Sequence, residues 1–290
     1  VDELIDQDFE VIGLDNLTAG IEKNVNPRSE FHKGDIRDYD LVRELSSGCD
    51  YFFHMAAEMP IVRPPFEDAA EHDEVNVIGT IRCVEAAASA GVRKFLYAST
   101  TAVYGQAKLL PITEEAPVDL LSRPYSIQKF SGEQHALLLG KRLKLDVVSL
   151  RLFANYGPRS VNREKGSNAY SPVIGIFLDQ KIRGVPLTIT GDGSQTRDFV
   201  YVKDTAKIFR QVALDSRIKN DVFNVCTGKG ISIQDLANII SPEQSYIPLT
   251  YGEVEHICGD NKKLASLGIK PQTSLEEGIE ALEIVLRGSP

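Results

Sequence analysis

Short apolar runs at Phe9–Leu14, Phe31–Ile36, Asp50–His54, Lys94–Ala98 and Asp146–Phe153 recur through the first half of this chain. Between them lie stretches of helical pattern near Tyr39–Ser46, Glu71–Ala90 and Tyr125–Leu143. Strands separated in this way are not joined by tight hairpins. They form a parallel sheet with helices on both faces. The alternation predicts an α/β fold with a doubly wound parallel sheet over residues 1–160, to which 201–227 contribute. After residue 160 the spacing changes. A helix beginning near Pro172, strands at Leu187–Thr190 and Phe223–Val225, a polar turn at Gly191–Asp198 and a helix from Asp204 follow. Ser232 with Asp235, and Ser274 with Glu277, have the spacing of helix N-caps. Residues 161–290 are expected to form, in the main, a smaller α/β lobe that holds substrate.

A Rossmann-type sheet carries an acidic residue after its second strand, about 20 residues beyond a GxGxxG loop, and that acid holds an adenosine ribose. Asp15 and Asn16 follow the run Phe9–Leu14 in this manner. No glycine loop precedes them. The chain begins roughly ten residues too late to contain it, so the sheet is expected to lack its first strand, as in a shortened polypeptide. Ala56 and Ala57 are small residues at the end of the third run, where a cofactor backbone approaches closely.

The candidate chemistry lies in Tyr125-Ser126-Ile127-Gln128-Lys129. Residues four apart share a helix face, so the phenol and the ammonium project together. Bringing a phenol from about 10 to near 7 requires roughly 4 kcal/mol. A cation about 4 Å away supplies that much at an effective dielectric of about 20. Tyr104 and Lys108 repeat the spacing, but in a stretch read as loop. Tyr125 differs because the strand Lys94–Ala98 ends before it in Ser99-Thr100-Thr101, which adds a hydroxyl to the pair.

The formal net charge of −9 argues against nucleic-acid backbones and anionic membranes as partners. There is no apolar run of transmembrane length, and Val1-Asp2-Glu3-Leu4 lacks the pattern of a signal peptide. A cytoplasmic protein is expected. Cys49, Cys83, Cys226 and Cys258 are far apart and form no CxxC, and the five histidines are dispersed, so no metal site is expected.

Ser99-Thr-Thr-Ala-Val-Tyr-Gly105, Tyr125-x-x-x-Lys129, Tyr156-Gly157-Pro158-Arg159 and Gly191 through Val202 together resemble the extended short-chain dehydrogenase/reductases. Within these the chain is most similar to NAD-dependent nucleotide-sugar epimerases of the UDP-glucose 4-epimerase type. The resemblance implies Thr100, Tyr125 and Lys129 as catalytic residues. It implies Asp15, Asn16, Asp35, Ile36, Ala56, Ala57, Asn76 and Ser99, with Tyr125 and Lys129, around NAD. It implies Thr100, Asn155 and Arg197 toward a nucleotide sugar, with UDP as its nucleotide. A homodimer through helices near 71–90 and 125–143 is implied as well. Thr101 and Ala102 stand where 4,6-dehydratases carry an Asp-Glu pair, which favours epimerisation. Ala154, Thr250 and Glu255 depart from the family's pattern and leave Arg197 as the clear basic group for the diphosphate. A keto-sugar reductase or dehydrogenase, and a non-catalytic shortened chain, are the competing readings. Asp15 argues against NADP, because its carboxylate repels a 2′-phosphate.

Overall fold

The structure is a computed structural model and describes residues 1–59, 69–120, 123–160, 172–248 and 254–288. Thr250, and the stretch 161–171 that opens the expected second lobe, lie outside the described residues. The chain divides into two compact units. One comprises Val1–Val103, Arg123–Arg151 and Phe209–Phe223; the other comprises Tyr104–Ser122, Leu152–Ile208 and Asn224–Pro290.

In the first unit, α1 (Asp2–Ile5) leads to β1 (Ile12–Asp15), which pairs in parallel with β2 (Glu30–Lys33), Asp15 opposite Lys33. After α2 (Tyr39–Leu45) comes β3 (Tyr51–His54). A long helical stretch follows: α3 (Ala69–Asp73), a π-helical segment Glu74–Gly79, and α4 (Thr80–Ser89). Then come β4 (Lys94–Thr100), α5 (Pro124–Leu143) and β5 (Asp146–Leu152). β3 and β4 are parallel, with His54 opposite Tyr97.

The second unit holds β6 (Ala154–Tyr156), α6 (Val173–Ile182), β7 (Leu187–Thr190), β8 (Thr196–Arg197) and β9 (Phe199–Tyr201). Helix α7 (Val202–Leu214) and strand β10 (Asp221–Val225) come next in the chain. They are followed by β11 (Ile231–Ser232), α8 (Ile233–Ile240), β12 (Gln244–Ile247), α9 (Lys262–Ala265) and α10 (Leu275–Gly288).

The main sheet has the strand order β10-β5-β4-β3, and β1-β2 form a separate parallel ladder. The core of the first unit is built by Val42, Cys83, Val84, Ala87, Phe95, Tyr97, Ala136 and Val147. On α4 the buried residues recur at helical spacing, so one face of that helix enters the core. The buried Lys94 ammonium donates to the Val212 and Asp215 carbonyls at 2.9 and 2.8 Å, which satisfies carbonyls at the end of α7.

The second unit has its own core around Tyr156, Ile174, Phe177, Leu187, Ile189, Phe199, Leu236 and Leu282. β6 pairs with β9 and β7 with β12, both in parallel, while β8 and β11 are antiparallel. Fully buried Asp198 accepts from Thr227 N, Thr227 Oγ1, Gly228 N and Gly259 N at 2.6–3.2 Å and so ties separate loops together. Ser232 caps α8, and Ser274 exchanges hydrogen bonds with Glu277 in a capping box.

The sequence reading places no strand at Ala154–Tyr156 or Gln244–Ile247, treats Thr196–Arg197 as loop and starts a helix at Asp204. The structure has short strands at those three places, and its helix starts at Val202. Segments of two to four residues are too short to display a period.

Candidate active site

Tyr125 and Lys129 lie one turn apart near the start of α5, which opens with Pro124 in its first turn. The helix runs over β4 at very close range. A Cβ on Gly132 would lie 2.6 Å from Tyr97 Oη and 2.8 Å from the Asn76 carbonyl oxygen, so only glycine fits. Lys129 is 2% exposed, and its ammonium sits 4.3 Å from the centroid of the Tyr97 ring. Thr100, at the end of β4, accepts a hydrogen bond from Ala102 N through Oγ1 at 3.2 Å, which leaves its hydroxyl hydrogen to donate. Ser99 and Ser126 are buried, and among the described residues their hydroxyls have no hydrogen-bond partner.

Burial governs the titration of the pair. It pushes the Tyr125 phenol up to about 12. It pushes Lys129 down to about 7, against the pull of the Glu133 carboxylate. The expectation that Lys129 alone brings the phenol near 7 is therefore corrected. In this structure desolvation is the first cause at both residues.

Asn76, in the π-helical segment, is buried. Its Oδ1 accepts from Glu58 N at 2.8 Å, and its Nδ2 donates to Glu58 O at 2.7 Å and Gln128 Oε1 at 3.1 Å. Gln128 in turn donates to Ala69 O at 3.0 Å. The network pins the strand-end segment carrying Ala56 and Ala57, both half-buried, to the residue preceding Lys129. Asp15 and Asn16 at the end of β1 accept from Leu17 N and Thr18 N. Asp35 is gripped by the Arg37 fork at 2.9 and 2.7 Å, which lowers its carboxyl to about 2. Ile36 packs against Gly79. The first unit thus holds Thr100, Tyr125, Lys129 and all of the expected cofactor residues.

Asn155 and Arg197 belong to the second unit. Asn155 donates to Phe153 O and accepts from Thr205 Oγ1. Arg197 Nη1 donates to the Thr196 and Glu255 carbonyls at 2.8 and 3.3 Å. Tyr104 ends a 3-10 turn and donates to Asn224 Oδ1 at 2.7 Å, so this second Tyr/Lys spacing is not on an α-helix.

Sequence reasoning missed Tyr97, Ser126, Gln128 and the buried pair Glu133–Arg151. Glu133 follows Lys129 by one further turn, a signal that was present in the sequence. Arg151 lies on another element and carried none.

The profile of the NAD dependent epimerase/dehydratase family matches residues 1–226. The chain belongs to that family. A Methanocaldococcus jannaschii protein with the provisional name UDP-glucose 4-epimerase is 38% identical over 288 residues, covering 97% of this chain and 91% of its own. The crystal structure of a Thermotoga maritima UDP-glucose 4-epimerase with UDP-glucose is 30% identical, with a TM-score of 0.90 over 99% of this chain and 93% of that one. A Thermus thermophilus UDP-glucose 4-epimerase in complex with NAD has a TM-score of 0.86 at 27% identity, covering 100% of this chain and 94% of that one. This epimerase/dehydratase family member is a Rossmann-type α/β enzyme, and NAD is its cofactor. The residues present fit that group. The buried, unpartnered hydroxyls of Ser99 and Ser126 want a polar ligand, and Asp15 stands at a strand end with the chemistry for a ribose diol.

Proposed function

We propose that this enzyme epimerises a nucleotide sugar at C4, with a UDP-hexose as substrate, through a transient 4-keto sugar. The observation that carries the proposal is Tyr125 and buried Lys129 one turn apart on α5, with Thr100 at the end of β4 and with Thr101 and Ala102 offering no carboxylate for elimination of water. The naming of similar proteins as UDP-glucose 4-epimerases supports it. NAD, when bound, would supply hydride-transfer chemistry. Tyr125 takes the proton of the 4-hydroxyl and gives it back, and Thr100 shares that hydrogen bond. Lys129, when charged, lowers the cost of the phenolate and holds the ribose beside the nicotinamide. Asp15 and Asn16 hold the adenosine ribose; Asp35 and Ile36 lie by the adenine. Ala56, Ala57, Asn76 and Ser99 line the cofactor. Asn155 and Arg197 face the sugar nucleotide, where a guanidinium fork suits phosphate oxygens.

The proposal includes a homodimer through the helical stretches near 71–90 and 125–143. Ile78, Ile127, Leu138 and Leu143 are exposed apolar residues there, next to a groove of about 460 Å³ lined by Tyr39, Arg82, Leu139 and Leu143. A cytoplasmic setting is also proposed. All four cysteines are free thiols, which suits a reducing compartment. Among the described residues no helix is long and apolar enough to cross a membrane.

The test is anomeric proton NMR of UDP-glucose and UDP-galactose with the NAD-containing protein. Interconversion with no net change in NADH absorbance is expected. Stoichiometric NADH formation would make the enzyme a dehydrogenase, and a 4-keto-6-deoxy product would make it a dehydratase.

A further inference from the structure

One aromatic side chain touches both ends of Lys129. The Tyr97 hydroxyl donates to the Lys129 carbonyl oxygen at 3.2 Å, while the ammonium of the same lysine lies 4.3 Å from the centre of the ring. Tyr97 is fully buried in the middle of β4. The lysine therefore folds back over the ring instead of extending from its helix.

A carboxylate is the usual partner of a buried ammonium, and one is present a single helical turn away. Its oxygens already accept from other donors, while its charge still favours the ammonium. Glu133 accepts from Arg151 Nη2 at 2.6 Å, from Arg151 Nε at 3.1 Å and from Ser149 Oγ at 2.9 Å. On the β3 side the neighbouring group is His54, whose ring centroid is 5.5 Å from that of Tyr97. His54 shares a hydrogen bond with Thr80 at 2.8 Å, and burial together with the Lys129 charge keeps it neutral, lowered to about 3. The groups around the ammonium are thus Tyr125 and Glu133 on α5, Tyr97 on β4, His54 on β3 and Arg151 on β5. Among the described residues the Tyr97 ring lies 4.3 Å from the Lys129 ammonium and offers it a face of negative potential.

We propose that Tyr97 is a positioning residue that sets the proton occupancy and the folded-back conformation of Lys129 through its ring face. A cation over a ring is favoured over a neutral amine, so the ring keeps Lys129 chargeable near neutrality despite its burial.

The experiment replaces Tyr97 site-specifically with phenylalanine and with di- and tetrafluorophenylalanine. These retain the shape while draining the ring face of negative potential. Tyr97→Met removes the face altogether. The titration midpoint of Lys129 is read by NMR of lysine labelled with 15N, assigned by loss of its signal in Lys129→Arg. The expected result is a stepwise fall along the fluorinated series, reaching about one pH unit below the parent. Tyr97→Met should show the same fall. Tyr97→Phe should stay close to the parent, because the ring and not the hydroxyl carries the effect. A midpoint that does not move across the fluorinated series overturns the proposal. The series preserves packing, so it decides the matter even where Tyr97→Met does not fold. The readout is a proton on Lys129 and not turnover, so it stands or falls separately from the C4 epimerisation reading.

Discussion

Glu133 and Arg151 form a two-point ion pair in the interior of the first unit, with side chains 0% and 6% exposed. The pair joins α5 to β5, and Ser149 completes the oxygens of the carboxylate. Two buried charges hold each other at little net profit, but losing one strands the other. Glu133→Gln is expected to cost about 3–5 kcal/mol, read as a fall in the denaturation midpoint. Replacing both residues by apolar ones of similar volume should recover most of that loss. A single variant as stable as the parent would show that the pair is already open to water.

Tyr125→Phe keeps the ring and removes the proton carrier. Turnover should fall by about 10² to 10⁴, with NAD content unchanged after denaturation and release. Retained turnover would move the acid–base role to another residue.

Lys129 carries a pH signature in stability. Its folded value of about 7 lies below the ordinary 10.5, so unfolding takes up a proton between those limits. The folded state accordingly gains stability as pH rises from about 7 to 10.5, and below 7 this group adds no further slope. Lys129→Met removes the term. Its melting temperature relative to the parent should be highest at pH 7 and should decline toward pH 10. A constant difference at every pH would mean that burial does not penalise the ammonium.

Asn76→Ala takes away the acceptor of the Glu58 amide and the donor to Gln128. Buried polar groups left unpaired cost about 1–3 kcal/mol each. The Glu58 amide should exchange with deuterium markedly faster, while amides in β4 exchange as before. Unchanged protection at Glu58 would mean that the segment is held by something other than this side chain.

Much of the first unit was legible because apolar runs alternate with helical stretches along the chain. Tyr125 and Lys129 were visible as a pair because they are four apart on one helix. Tyr97 was hidden because, inside the run Lys94–Ala98, an aromatic residue reads as core. Its second task depends on Gly132 letting α5 come close, a relation across two elements. Arg151 was hidden likewise, since nothing in a β-strand marks which helix it faces. The titration of Tyr125 was not legible. Proximity of a lysine can be read from spacing, whereas the depth at which both groups lose water comes only from packing. In the second unit β6, β8 and β12 are short segments that pair with β9, β11 and β7, and that pairing cannot be read from their own residues.

The π-helical segment between Asp73 and Thr80 makes chain length a functional quantity. A π turn accommodates one residue more than an α turn would. It lets Asn76 meet Glu58 and Gln128 while Cys83, Val84 and Ala87, further along, still enter the core. Deleting any one residue of Glu74–Gly79 would allow a regular α-helix with better backbone geometry, yet would turn one end against the other by about 100°. Either the Asn76 contacts or the core face of α4 would then point away from its partner. Substitutions in this stretch can be absorbed locally, but a deletion cannot, because the surplus residue acts as the gear between two phases of one continuous rod.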